Sequence, residues 1–149
     1  MKRAFTFLLT LALLAATMVP STLAVSSHHR ETDVIYTELG EIEIEITTVI
    51  YESTSRSNSG KADRTATVKH NGKVIANVTL SVTFGYDGKT SWVISTDGSH
   101  TTYDGWSYGN ETITKSGGTA SLSGKLTHLI YGNHSVNISM TCSPTGQIS

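Results

Sequence analysis

The 149-residue sequence predicts an all-β chain: an immunoglobulin-like β-sandwich of seven or eight antiparallel strands, with an open β-barrel as the alternative. Three observations carry that expectation. Thr, Val, Ile and Tyr, which suit a pleated and half-buried surface, recur in short runs, and only two prolines interrupt the chain. Turn pairs separate those runs at Asn71-Gly72, Asp87-Gly88, Asp97-Gly98, Gly117-Gly118 and Gly132-Asn133. Nearly no stretch alternates at helical period.

The elements follow in order. Residues 1–24 have the grammar of a cleaved secretory signal: Lys2 and Arg3, an apolar run from Ala4 to Met18, then Pro20 and the small-residue exit Thr22-Leu23-Ala24. That run is too short for a membrane span, so a secreted, extracellular, bacterial chain without a membrane span is expected. Residues 25–32 are polar and expected to be disordered, and 33–149 form one domain. Removing Lys2 and Arg3 leaves 9 basic against 12 acidic residues, a net charge of −3 that offers no footprint for nucleic acid. Strands are expected over 34–39, 42–52, 64–69, 73–85, 89–96, 107–115, 119–131 and 135–142, with 53–63 as a flexible loop.

Side-chain parity constrains the pairing. Ile42, Ile44, Ile46 and Ile50 share a face, as do Ala66 and Val68, and as do Val74, Ala76, Val78, Leu80, Val82 and Phe84. Keeping these faces together calls for three-residue hairpin loops, His70-Asn71-Gly72 and Tyr86-Asp87-Gly88, and Gly132-Asn133-His134 by the same logic. The second of these sets Val82 against Trp92 and turns the indole inward. The third sets Leu126 against Met140.

Each chemical motif has a plain structural counterpart. Glu41, Glu43 and Glu45 are spaced about 6.7 Å apart on one strand face. Paired carboxylates at such spacing suit glycosidic hydrolysis or calcium, but both need groups converging from other directions. The expectation is an outer face that discourages edge pairing, opposite Lys69 or Arg64. The isoleucines beside them mark the core side, and something is expected to pack over Val49 and Tyr51. Cys142 shares parity with Val136, Ile138 and Met140 and reads as an inert core thiol, with a Cys142-linked dimer as the alternative. The six histidines show no zinc spacing, so no metal and no cofactor is expected; His128 should be hydrogen-bonded at the rim of the core. Four Asn-x-Ser/Thr sites occur, at Asn77, Asn110, Asn133 and Asn137.

Residues 84–108 hold six of the nine aromatic residues that follow the leader. Exposed rings there would stack on sugars while acids or histidines bond hydroxyls, giving Tyr86, Asp97, His100, Tyr103, Asp104, Trp106 and Tyr108 as ligand-binding candidates.

Phe84-x-Tyr86-x-Gly88-Lys89, Trp106, the run from Lys115 to Ala120 and the ending from Thr141 to Ser149 occur in an order that resembles a group of small secreted proteins of Gram-positive, mainly gut-type bacteria, without an assigned activity. The resemblance covers Val78 to Ser149. It implies secretion and a β-rich fold, and brings no site residues. Its members carry extra cysteines between the F-x-Y-x-G turn and the tryptophan; here Thr90 to Gly105 has none.

The function expected is a non-enzymatic extracellular module, a cell-surface interaction or structural protein, with a polysaccharide or a surface protein as the partner it would meet. Carbohydrate binding through Tyr86–Tyr108 is the first alternative. A hydrolase using Glu43 and Glu45, or Asp97 and Asp104, is the distant one.

Overall fold

Period-two alternation becomes eight antiparallel strands: β1 (Val25–Thr37), β2 (Gly40–Tyr51), β3 (Ser59–His70), β4 (Lys73–Tyr86), β5 (Ser91–Thr102), β6 (Ser107–Ser116), β7 (Thr119–His128) and β8 (Gly132–Thr141). This computed structural model describes residues 25–37, 40–51 and 58–149, with side chains from Ser27 onward. The expected signal peptide lies outside the described residues, as do residue 52 of the expected second strand and 53–57 of the expected flexible loop. Among the described residues no helix is long and apolar enough to cross a membrane.

The strands form two sheets, β1-β2-β3-β4-β5 and β6-β7-β8, each in chain order. Two facing sheets are the sandwich expected, and they do not close into a barrel. The connectivity corrects the immunoglobulin label. That fold interleaves its sheets through Greek-key connections, whereas here every described neighbour is the next strand and the chain changes sheet once, between β5 and β6.

Even-numbered side chains of β2, β3 and β4 point inward, as parity required. Ile42, Ala62, Ala66, Val68, Ala76, Val78, Leu80, Val82 and Phe84 are buried beneath Ala120, Leu122, Leu126, Val136, Ile138 and Met140 of the smaller sheet. The alanines of β3 and β4 leave room for the larger side chains opposite, which is how facing layers interdigitate. Arg64 also points inward and joins the sheets. Its Nε donates to Thr48 Oγ1 at 2.7 Å and its guanidinium reaches the Ser139 carbonyl on β8. Burial holds Arg64 below its ordinary pKa.

Three expected registers are wrong, although all three obey the expected parity. Asn71 and Gly72 both have positive φ, 49° and 78°, so a two-residue turn pairs His70 with Lys73. The extra residue that parity demands lies inside the strand: Ile75 bulges out, and Val68 aligns with Ala76. Likewise Tyr86 pairs with Ser91 across 87–90, and a bulge at Ile94 restores parity, bringing Val82 opposite Thr96. Trp92 then faces outward at 44% exposure, lying over Gly85, where a Cβ would collide with the indole. In the third hairpin the loop is 129–131, so Leu126 pairs with His134 and Met140 with Ala120.

Other boundaries move too. Val25–Thr32, expected to be disordered, belongs to β1 and pairs with β2 along its length. β3 begins at Ser59 rather than Arg64 because Ser59–Asp63 has partners on β4. Asp97-Gly98 is not a turn: Gly98 pairs with Leu80 in mid-strand and lies so close to Glu111 and Ile113 that a side chain there would clash. The turn out of β5 is Asp104-Gly105, with φ of 54° and 79°.

The glutamates line the outer face, and Glu43 and Glu45 are paired rather than wet. Lys69 Nζ lies 2.7 Å from Glu43 and 3.4 Å from Glu45, and Arg30 lies 2.5 Å from Glu45. The hydrogen bond from Arg30 is the main reason Glu45 lies below the usual carboxylate range. Over Tyr51 sits Lys61, its Nζ 5.4 Å from the ring centroid, and the phenol donates to Asp63 at 2.8 Å.

Candidate ligand-binding site

In a meander, the turns after every odd strand gather at one end. That end collects the β3–β4 turn, the Asp104-Gly105 corner and the loop 129–131, with the finish of β1 beside them. A cleft of about 420 Å³ opens there, lined by His70, Lys73, Asp104, Trp106, His128 and Tyr131, with Ile75 and Ile130 at its margins.

Trp106, 5% exposed, is the centre of an aromatic cluster. Its ring centroid lies 5.0 Å from His128, 5.6 Å from His134 and 6.1 Å from His70, and it stacks on Tyr131 at 6.2 Å. Tyr131 in turn touches His70 at 4.4 Å and His128 at 4.7 Å. His128 has a defined role: Nδ1 accepts the backbone N–H groups of Ile130 at 3.1 Å and Tyr131 at 3.3 Å. An accepting Nδ1 leaves the proton on Nε2, which points toward Gly105. Hydrogen-bonded and half-buried, His128 occupies the rim position its parity indicated. Burial, and then the nearby charge of His70, hold His134 below the ordinary histidine value, against a backbone hydrogen bond with Tyr131 that raises it.

Lys73 and Asp104 form an ion pair at 3.1 Å at the mouth of the cleft. The same pair borders a second, more open depression with Val74, Asn77 and Tyr103. Rings, a cation, an anion and an imidazole N–H therefore converge within one end of the molecule.

Of the seven expected site residues, the structure brings Tyr103, Asp104 and Trp106 to this end and scatters the rest. Tyr86 is at the opposite end, its ring filling the space a side chain on Gly146 would take. Asp97 lies in mid-β5 beside a shallow depression with Lys61 and Thr83. Five residues of extended chain, roughly 17 Å, separate it from the end of β5 at Thr102, and Asp104 lies beyond that in the turn, so those two carboxylates do not converge. His100 and Tyr108 meet each other at 4.8 Å on the flank where β5 passes β6. Tyr108 lies over Gly124, and burial raises its phenol to about 12.

Sequence reasoning missed His70, Lys73, His128, Tyr131 and His134. Their common signal is position: each sits at the turn after an odd strand, which matters only once the order of strands is known.

Cys142 is 2% exposed and forms an isolated bridge with Ile148; burial raises its thiol pKa. Among the described residues no group of three or more His, Cys, Asp or Glu side chains is arranged to hold a metal ion.

Comparison with family models, curated proteins and solved structures finds no match for this chain.

Proposed function

We propose that the chain is a secreted, non-enzymatic recognition module and that the cleft beside Trp106 binds a carbohydrate. The observation that carries this reading is the convergence of Tyr131, Lys73, Asp104 and His128 on one concavity. A pyranose needs a ring to stack on and both donors and acceptors around its edge. Tyr131 supplies the accessible ring, since Trp106 is covered, while Lys73 and His128 Nε2 donate and Asp104 accepts.

Two further observations favour binding over hydrolysis. Glu43 and Glu45 share Lys69 on a flat strand face, and Glu45 lies below its usual range, whereas a general acid needs a raised value. Asp97 and Asp104 stand too far apart along β5 to flank one glycosidic bond. The buried Cys142 argues against a Cys142-linked dimer, because an intermolecular disulfide would first require its strand end to open.

The test is binding to a panel of soluble polysaccharides by titration calorimetry and glycan array. Tyr131→Ala and Asp104→Ala should each weaken binding at least roughly tenfold, the scale of one lost stacking or charged hydrogen bond. Tyr86→Ala and His100→Ala, outside the cleft, should leave it unchanged. A wild-type chain that binds none of the panel ends this reading.

A further inference from the structure

The large apolar side chains left exposed are distributed unevenly. Among the described residues there are nine, and only Trp92 and Ile94 lie away from the cleft. The other seven lie toward the same end of the molecule: Val34, Ile35 and Tyr36 near the end of β1, Tyr103 after β5, and the loop Leu129-Ile130-Tyr131. Leu129 is 99% exposed and Tyr36 79%, so these side chains project from the tips rather than lining a groove.

The geometry points to a lipid–water interface as the partner of these tips: the cleft end of the sandwich seats on a membrane surface with Leu129, Ile130 and Tyr36 entering the headgroup region. Three features favour lipid over a protein partner. First, five backbone donors at the tips are satisfied internally, which lowers the cost of taking them out of water. Ile130 and Tyr131 N–H go to His128, Asn71 N–H to the Glu41 carbonyl, Glu41 N–H to Asn71 Oδ1, and Tyr103 N–H to the Ile75 carbonyl. Second, the ring composition suits the interface. Tyr36, Tyr103 and Tyr131 carry an apolar body and a hydroxyl tip, the side-chain form enriched where hydrocarbon meets headgroups. Third, the ion pair nearest the tips is self-neutralised, since Lys73 and Asp104 lie 3.1 Å apart, so seating this end strips water from a pair rather than from a lone charge. Separate hairpin tips that project singly also bury apolar area in a fluid phase without needing a shaped counterpart.

The inference shares Ile130 and Tyr131 with the cleft, but its test is separate from carbohydrate binding, because neither Leu129 nor Tyr36 lines the cleft. It is tested by flotation with vesicles of phosphatidylcholine alone and with added phosphatidylglycerol, lipids that carry no sugar ring. The wild-type chain should float with both. Leu129→Ser should weaken partitioning roughly tenfold, and the pair Leu129→Ser with Tyr36→Ser roughly a hundredfold, from the area of each side chain removed from water. Ile94→Ser, a change at an exposed apolar residue away from the cleft, should have no effect. Failure of the wild-type chain to float, an unaltered Leu129→Ser, or an equal loss in Ile94→Ser would overturn the inference. So would a dimer in vesicle-free solution that Leu129→Ser dissociates, which would assign the tips to a second copy. Since the vesicles lack sugar, either outcome leaves the carbohydrate reading to its own test.

Discussion

The two ends of the sandwich are finished in opposite ways. At the far end the last residues of the chain fold back as a seal. Thr141 and Ser149 exchange backbone hydrogen bonds, the Pro144 carbonyl accepts from Gly88, and Ser91 Oγ donates to the Cys142 carbonyl at 2.6 Å. Asp87 completes its own turn by accepting from the N–H groups of Lys89 and Thr90, which is the main reason its pKa is lowered. At the cleft end, aromatic and imidazole rings fill the opening from inside, and apolar tips are left outside. The contrast separates two uses of an end. Among the described residues, the tail end spends its polar groups on itself, while the cleft end keeps both apolar and polar groups available.

That contrast can be broken most severely at Trp106. Trp106→Ala should cost about 3–5 kcal/mol, the usual range for deleting a buried aromatic side chain, and should unpack His70, His128, His134 and Tyr131 together. Urea denaturation measures it; a loss under about 1 kcal/mol would mean the cluster is not a packed unit.

A smaller effect is expected at the sealed end. Gly146 has φ of 87° and faces the Tyr86 ring, so Gly146→Val meets both a backbone penalty and a clash. A cost of about 2 kcal/mol is expected, most of it from the left-handed backbone. Faster reaction of Cys142 with a thiol reagent should accompany it, as the tail loosens above the sulfur. Unchanged labelling would show that the tail is not the cover.

The smallest effect distinguishes the ends by pH. His134 has a folded pKa below its unfolded value of about 6.5, so the unfolded chain binds the proton first. Its contribution is intact above the unfolded value and is lost as the pH falls through the folded one. The urea midpoint should therefore fall on acidification below about pH 6.5, and His134→Gln should flatten that fall. An identical pH profile in the variant would remove His134 from the account.

How much of this was legible beforehand depends on the physics involved. Core faces were readable because strand parity is set by covalent geometry, and 78, 80, 82 and 84 are buried as their alternation required. Registers were not, because parity counts residues without saying where the odd one goes. Loop and bulge satisfy it equally, and the structure places the extra residues at Ile75 and Ile94. Asp97-Gly98 and Asp104-Gly105 are the same dipeptide, and only the second bends. The first glycine is needed instead because β6 passes close over it. The site was half legible. Tyr103, Asp104 and Trp106 stood out as an aromatic and acidic cluster, but His70 lies far in sequence from the hairpin that carries His128 and His134, and only the meander brings them together.

The same meander bears on how the chain reaches its structure. With every sheet neighbour next in sequence, contact order is low for an all-β domain, and each pairing closes a short loop rather than a long one. Hairpins can therefore assemble in the order in which the chain becomes available, β1 with β2 and onward, without waiting for distant strands. Only the last step is non-local: the β5–β6 corner must fold the finished three-stranded sheet back over the five-stranded one, with Arg64 meeting the Ser139 carbonyl as the two faces join.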